Sequence, residues 1–143
     1  MNFEAAIRSC LNQYLGFTGR AARSEFWYFV LFNILMSIAT SIVDWVLSAI
    51  LGFGFVGFLV SLALLLPGIA VSIRRLHDIG KPGWWLLAMV PGLLLIFLAP
   101  VLGGLLVLGG AGLLLFFYVK PGTAGPNAYG PDPLGATPVA GGV

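Results

Sequence analysis

The residues best equipped for chemistry lie in one stretch, Arg74-Arg75-Leu76-His77-Asp78-Ile79-Gly80-Lys81-Pro82-Gly83-Trp84-Trp85, which holds three of the seven basic side chains and the only histidine of the 143-residue chain. A carboxylate beside an imidazole can orient the ring and raise its basicity, so His77 and Asp78 invite a general-base reading. Neighbouring residues on a helix point about 100° apart, however, and serve each other poorly. His77, Asp78 and Glu25 are therefore expected as a polar joint, each pairing with a residue from another segment. Metal binding has less support: one histidine, the lone Cys10 and sparse carboxylates supply no ligand set. The sequence points to no catalytic residue, no metal, no cofactor and no enzyme.

Anion recognition is the stronger chemistry. A second basic-aromatic segment, Phe17-Thr18-Gly19-Arg20-Ala21-Ala22-Arg23-Ser24-Glu25-Phe26-Trp27-Tyr28-Phe29, precedes the first long apolar run. If the two segments share a membrane face, Arg20, Arg23, Arg74, Arg75 and Lys81 meet only Glu25 and Asp78. That surplus would attract anionic phospholipid, at about 1 kcal/mol per basic residue near the surface, or an acidic partner protein. The plainer alternative is that these charges set topology and anchor helix ends.

Composition places both segments at a bilayer. The chain is 59% hydrophobic and 8% charged, with a mean hydropathy of +1.03, beyond what a soluble core needs. The net charge of +2 comes without a long basic tract, which argues against a nucleic-acid partner. A single cysteine excludes an intramolecular disulfide, and Cys10 reads as a small apolar residue on a helix face. Charges at Glu4, Arg8, Arg20, Arg23 and Glu25 interrupt any early apolar core, so no cleavable leader is expected.

The elements that must position the basic segments follow from periodicity. Residues 2–15 place Phe3, Ile7, Cys10, Leu11 and Tyr14 at helical spacing, an amphipathic helix that lies in the interface or packs on the protein's own loops. Spans are expected at about 26–46 and 55–73, the first bounded by the ring-bearing anchors Trp27 and Trp45, whose eighteen-residue separation rises about 27 Å. Asp44 falls near the end of that span, a boundary position. Ser37 and Ser41 form a small-residue strip suited to helix packing, within this chain or in an oligomer. Pro67 should kink the second span and free a carbonyl for a neighbouring helix. The stretch from Trp84 to Tyr118 would run about 52 Å as one helix, against a core of about 30 Å. Pro100 and Gly103-Gly104 favour a hairpin with spans 84–100 and 104–119, making four; the competing arrangement is one interfacial segment, anchored by Trp84 and Trp85, plus one span. Residues 1–133 are thus one all-α membrane domain with three to four transmembrane helices, and 134–143 an irregular tail. The connection after the first span lacks lysine and arginine, so the amino terminus is expected in the cytoplasm.

Three signatures, Phe17 to Trp27, Arg74 to Trp85, and Pro121-Gly122-Thr123 through Asn127-Ala128-Tyr129-Gly130-Pro131-Asp132-Pro133, resemble those of domain-of-unknown-function family 805 (DUF805), the YhaH-like bacterial inner-membrane proteins. The resemblance covers roughly residues 3–133 and implies a small multispanning protein of the bacterial plasma membrane, with no activity or catalytic residue to carry over. Pro82 stands where the family often has Ser, and Ala128 where it often has Arg or Lys. The final apolar stretch is about a dozen residues longer than the family pattern; a single third span would put the tail outside, whereas a hairpin returns it inside. The resulting expectation is a non-enzymatic membrane protein with a basic-aromatic cytoplasmic face for anionic lipid or a partner. A small transporter or channel accessory, dependent on Asp44 or Asn33, is the alternative.

Overall fold

With no water in the hydrocarbon to satisfy backbone groups, long apolar runs must bond internally, and they do so here as helices. The computed structural model describes residues 1–135; the expected tail therefore lies outside the described residues from 136 onward. The elements are α1 (Phe3–Asn12), α2 (Arg23–Leu51), α3 (Val56–Asp78), a 3-10 helix (Gly83–Met89), α4 (Val90–Leu95) and α5 (Pro100–Val119). Among the described residues three helices, α2, α3 and α5, are long and apolar enough to cross a membrane. Ile38 and Ile42 on α2, Leu62 on α3 and Leu105 and Leu108 on α5 are exposed. Such continuous apolar surface suits acyl chains and would be a liability in water. The architecture is the all-α membrane type, and the chain is a multispanning membrane protein. Where one domain over 1–133 was expected, the chain forms two compact units, Met1–Gly16 with Ser24–Val71, and Phe17–Arg23 with Ser72 onward.

In the first unit, Asn2 caps α1 by accepting the Ala5 N–H at 2.8 Å. Ala6 and Cys10 are fully buried. Ser9 Oγ donates to Glu25 Oε1 at 3.0 Å, with Cys10 Sγ at 3.7 Å from the same oxygen. Phe3 meets Tyr28 edge-on at 6.0 Å. One face of α1 is thus packed on the start of α2, while Leu11, Leu15 and the Glu4–Arg8 pair stay exposed.

Asp44 joins α2 to α3. Its two carboxylate oxygens accept the N–H groups of Val56 and Gly57, each at 2.8 Å, placing a negative charge on the positive end of α3. The connection turns at Gly52, whose φ of +82° suits glycine. Within α2, Asn33, Ser37, Thr40 and Ser41 return their side-chain donors to carbonyls of their own helix at 2.7 to 2.9 Å. Pro67 lies inside α3; the carbonyl four residues earlier, that of Ala63, accepts a hydrogen bond from the Tyr14 hydroxyl.

In the second unit the long apolar stretch folds as an antiparallel hairpin. A Cβ placed on Gly110 would lie 3.2 Å from the Ala88 carbonyl oxygen, and one on Gly92 would lie 2.7 Å from the Val107 nitrogen. Gly103 is pressed equally against Ile96. Where a span was expected at 84–100, the first arm is seven residues of 3-10 helix and six of α-helix, which rise about 23 Å. Pro91, which has no N–H, and the close approach at Gly92 account for the broken geometry.

Candidate functional site

The Leu76-His77-Asp78-Ile79-Gly80-Lys81 run is first of all a helix stop. Gly80 adopts φ +74°, its N–H bonds the His77 carbonyl at 3.0 Å, and the Lys81 N–H bonds the Leu76 carbonyl at 2.9 Å. This paired closure is the Schellman motif, and Pro82 follows where the helix cannot continue. The motif turns the chain sharply and leaves the side chains of Arg75, His77 and Asp78 on the last turn of α3.

Asp78 is the centre of the joint. It is 3% exposed. Its Oδ1 accepts from Arg20 Nε at 2.9 Å and its Oδ2 from Arg75 Nη1. The remaining guanidinium donors reach backbone oxygens. Arg20 bonds the carbonyls of Thr123 at 2.5 Å and Gly125 at 2.6 Å; Arg75 bonds those of Tyr118 at 3.2 Å and of Lys120. Tyr118 and Lys120 end α5, so Arg75 delivers a cation to the negative pole of a helix whose last carbonyls lack partners of their own. The Asp78 carbonyl accepts the Thr123 N–H at 2.8 Å, and a Cβ on Gly122 would collide with the Asp78 carboxylate, so that position requires glycine.

His77 completes the joint through its ring and its carbonyl. The ring stacks on Tyr129 with centroids 4.1 Å apart and planes 3° from parallel, and Nδ1 lies 3.0 Å from the Gly19 carbonyl oxygen. Because a carbonyl only accepts, Nδ1 carries the proton in that bond. The His77 carbonyl also receives Asn127 Nδ2 at 2.9 Å. His77 and Asp78 therefore form no dyad: the carboxylate faces two arginines and the imidazole faces a carbonyl. The tail segment is itself braced by Asp132. Its side chain accepts the N–H groups of Leu134 and Gly125, each at 3.0 Å, and these bonds, Leu134's first, hold its carboxyl below the usual aspartate value.

The structure sorts the expected headgroup-binding residues into two groups. Arg20, Arg74 and Arg75 are buried at 8%, 1% and 0% exposure, which corrects the expectation that they face phosphates: Arg20 and Arg75 are engaged by Asp78 and by backbone oxygens, and the Arg74 carbonyl accepts the Ala21 N–H at 3.0 Å. Arg23 is exposed and Lys81 half-buried. The Lys81 ammonium sits 5.3 Å from the Trp85 ring centroid and 4.9 Å from that of Phe117, within cation–π range. Trp84 stacks on Trp85 at 5.2 Å and is exposed. Of the other anchors, Trp45 is exposed and Trp27 half-buried against Phe26. Glu25 lies in the first unit, held by Ser9 and Cys10. Among the described residues no group of three or more His, Cys, Asp and Glu could hold a metal.

Sequence reasoning missed Thr123, Gly125, Asn127 and Tyr129 as members of the joint. The available signal was the Asn127-Ala128-Tyr129-Gly130 turn, closed by Asn127 and Gly130 N–H groups on each other's carbonyls at 3.0 and 3.1 Å, in a segment with no apolar periodicity to justify it.

A family model described as a protein of unknown function, DUF805, matches residues 14–131. Inner membrane protein YhaI of Escherichia coli (strain K12) is 37% identical over 125 residues, 87% of this chain and 92% of that one. Inner membrane protein YhaH of the same strain is 35% identical over 125 residues, covering 86% and 91%. No solved structure matches the chain. The region the family model covers runs from Tyr14 to Pro131 and so takes in the helix stop, both arginine clamps and the tail turn; the chain belongs to the DUF805 family.

Proposed function

We propose that this chain is a non-enzymatic inner-membrane protein whose basic-aromatic face is cytoplasmic and holds anionic phospholipid headgroups. The observation that carries the reading is Lys81, an ammonium held over the Trp85 and Phe117 rings beside the exposed, stacked Trp84. A cation fixed on aromatic rings at the junction of a polar loop and an apolar hairpin is suited to the headgroup level, where indoles also reside. Lys120, exposed and 5.9 Å from the Phe116 ring centroid, adds a second such cation, and exposed Arg23 a third. The buried Arg20–Asp78–Arg75 cluster then serves as the frame that fixes the loop, the end of α5 and the tail relative to one another.

A transport role gains nothing comparable. Asp44 is committed to the amino end of α3 and Asn33 to the Phe29 carbonyl. The test is lipid preference of the purified protein, read by tryptophan fluorescence during titration with phosphatidylglycerol or phosphatidylcholine in mixed micelles. Replacing Lys81 and Lys120 with Ala should weaken the preference for the anionic lipid by roughly thirtyfold, given about 1 kcal/mol per basic residue. An undiminished preference in a folded double variant would refute the assignment.

A further inference from the structure

Proline at position 67 deprives α3 of the N–H that would bond the carbonyl of Ala63. That carbonyl is met from outside the helix, by the hydroxyl of Tyr14 in the turn that follows α1. We propose that Tyr14 is the latch of a proline hinge in α3, so that the seating of the amino-terminal helix and the bend of α3 form one coupled conformational device.

Three features of the first unit support the coupling. Pro67 is among the fully buried side chains, whereas Ala63 is exposed on the apolar surface of α3, where a carbonyl facing acyl chains without a donor has no water to turn to. Gly68 follows it, and a Cβ there would sit 4.0 Å from Phe29 Cε1; the residue beside the proline is thus both small and closely backed by α2. The latch also rides on an element able to move. Beyond Ala6, Cys10, the Ser9–Glu25 bond and the Phe3 edge contact, α1 presents Leu11, Glu4 and Arg8 outward, an amphipathic surface that can shift within an interface. While α1 is seated, the phenol supplies the missing donor and α3 holds one bend. When α1 lifts, Ala63 loses that donor, and the turn from Ala63 to Pro67 is released to adopt another geometry.

A double-mutant cycle with Tyr14→Phe and Pro67→Ala in the full chain tests this. Tyr14→Phe keeps the ring and removes only the donor; Pro67→Ala restores an N–H that can bond the Ala63 carbonyl within the helix. Reversible unfolding in mixed micelles should show Tyr14→Phe lowering the folded-to-unfolded ratio by about tenfold, and by less than about twofold in the Pro67→Ala background. Spin labels at the exposed positions Arg8 and Leu59, introduced as cysteines in a Cys10→Ala chain, should show a broadened distance distribution for Tyr14→Phe alone. Equal losses in the two backgrounds would overturn the proposal. So would an unchanged distance distribution in the Tyr14→Phe protein, a result that needs no proline variant.

Discussion

Asp78 carries two guanidinium groups on one carboxylate, with side-chain exposures of 1% for Arg20, 0% for Arg75 and 5% for Asp78. Buried pairs of this kind are costly to break, because removal of one partner leaves charge in a poorly solvating site; losses of about 3 to 5 kcal/mol are typical. Asp78→Asn should therefore destabilise the protein by about 3 kcal/mol or more, and free the tail, which would be seen as faster proteolysis after Lys120. His77→Ala, which removes a stacked ring and one bond but no buried charge, should cost less, about 1 to 2 kcal/mol. A larger loss in the histidine variant would show that the stack, not the carboxylate, holds the joint. Asp132 offers a pH test. Its folded-state carboxyl titrates below the usual aspartate value because the Leu134 and Gly125 N–H groups bond the ionised form. A lowered folded value means the contribution is complete above the unfolded value and is lost as pH falls through the folded one. Amide exchange at Gly125, protected at neutral pH, should accelerate only in that acid window, and in Asp132→Asn it should be fast throughout. Of these residues, His77 and Asp78 stood out by type and spacing; Tyr129 did not, since the ring it stacks on, that of His77, lies more than fifty residues away in the chain, a separation that no local pattern relates.

At the scale of elements, glycine separates contact from surface. Gly92 faces the Val107 backbone nitrogen at 2.7 Å from where its Cβ would be, whereas Gly104, Gly109 and Gly112 have nothing within 4 Å. Gly92→Ala should force the arms of the hairpin apart and destabilise it by about 1 to 3 kcal/mol. Gly104→Ala should be neutral or stabilising by up to about 1 kcal/mol, from helix propensity alone. Thermal unfolding of the two variants in one detergent checks both signs; a destabilised Gly104→Ala protein would mean that this face of α5 meets something in the assembled state. The hairpin break itself was legible, because Pro100 and the paired glycines interrupt a run too long for one crossing. The shortness of its first arm was not. Apolar composition does not distinguish a 3-10 segment from an α-helix, and the register that forces Gly92 against Val107 depends on residues fifteen apart. The cap that Arg75 provides to α5 was hidden for a related reason, since capping by a distant side chain leaves no mark near the helix end.

For the whole molecule, the decisive consequence of the hairpin is where the tail emerges. The first arm leaves the Lys81 loop, the chain reverses at residues 96–99, and α5 returns antiparallel to end beside Arg75. A third span without that reversal would have delivered the tail to the opposite face; here the tail is bonded to the loop by Arg20, Asp78 and Asn127. The all-α membrane class was readable from composition and apolar run length. What was not legible is the burial of Arg20, Arg74 and Arg75, because a sequence shows that charges cluster and not, as for Arg20 and Arg75, that a carboxylate and backbone oxygens will cover them. The proposed sidedness rests on charge. Arg74, Arg75, Lys81 and Lys120 bracket the loop and the end of α5, while residues 52–55 between α2 and α3 contain no lysine or arginine, the bias that the positive-inside rule associates with a cytoplasmic loop and tail. Alkaline phosphatase fused after Val143 should be inactive and the same enzyme inserted at Gly52–Phe53 active, with a cytoplasmic reporter giving the reverse. Periplasmic activity at the tail together with cytoplasmic activity at the turn would reverse the proposed orientation and leave the joint intact. Periplasmic activity at both positions would require the tail to part from the Arg74–Lys81 loop, and would contradict the bonds that Arg20 makes to Thr123 and Gly125.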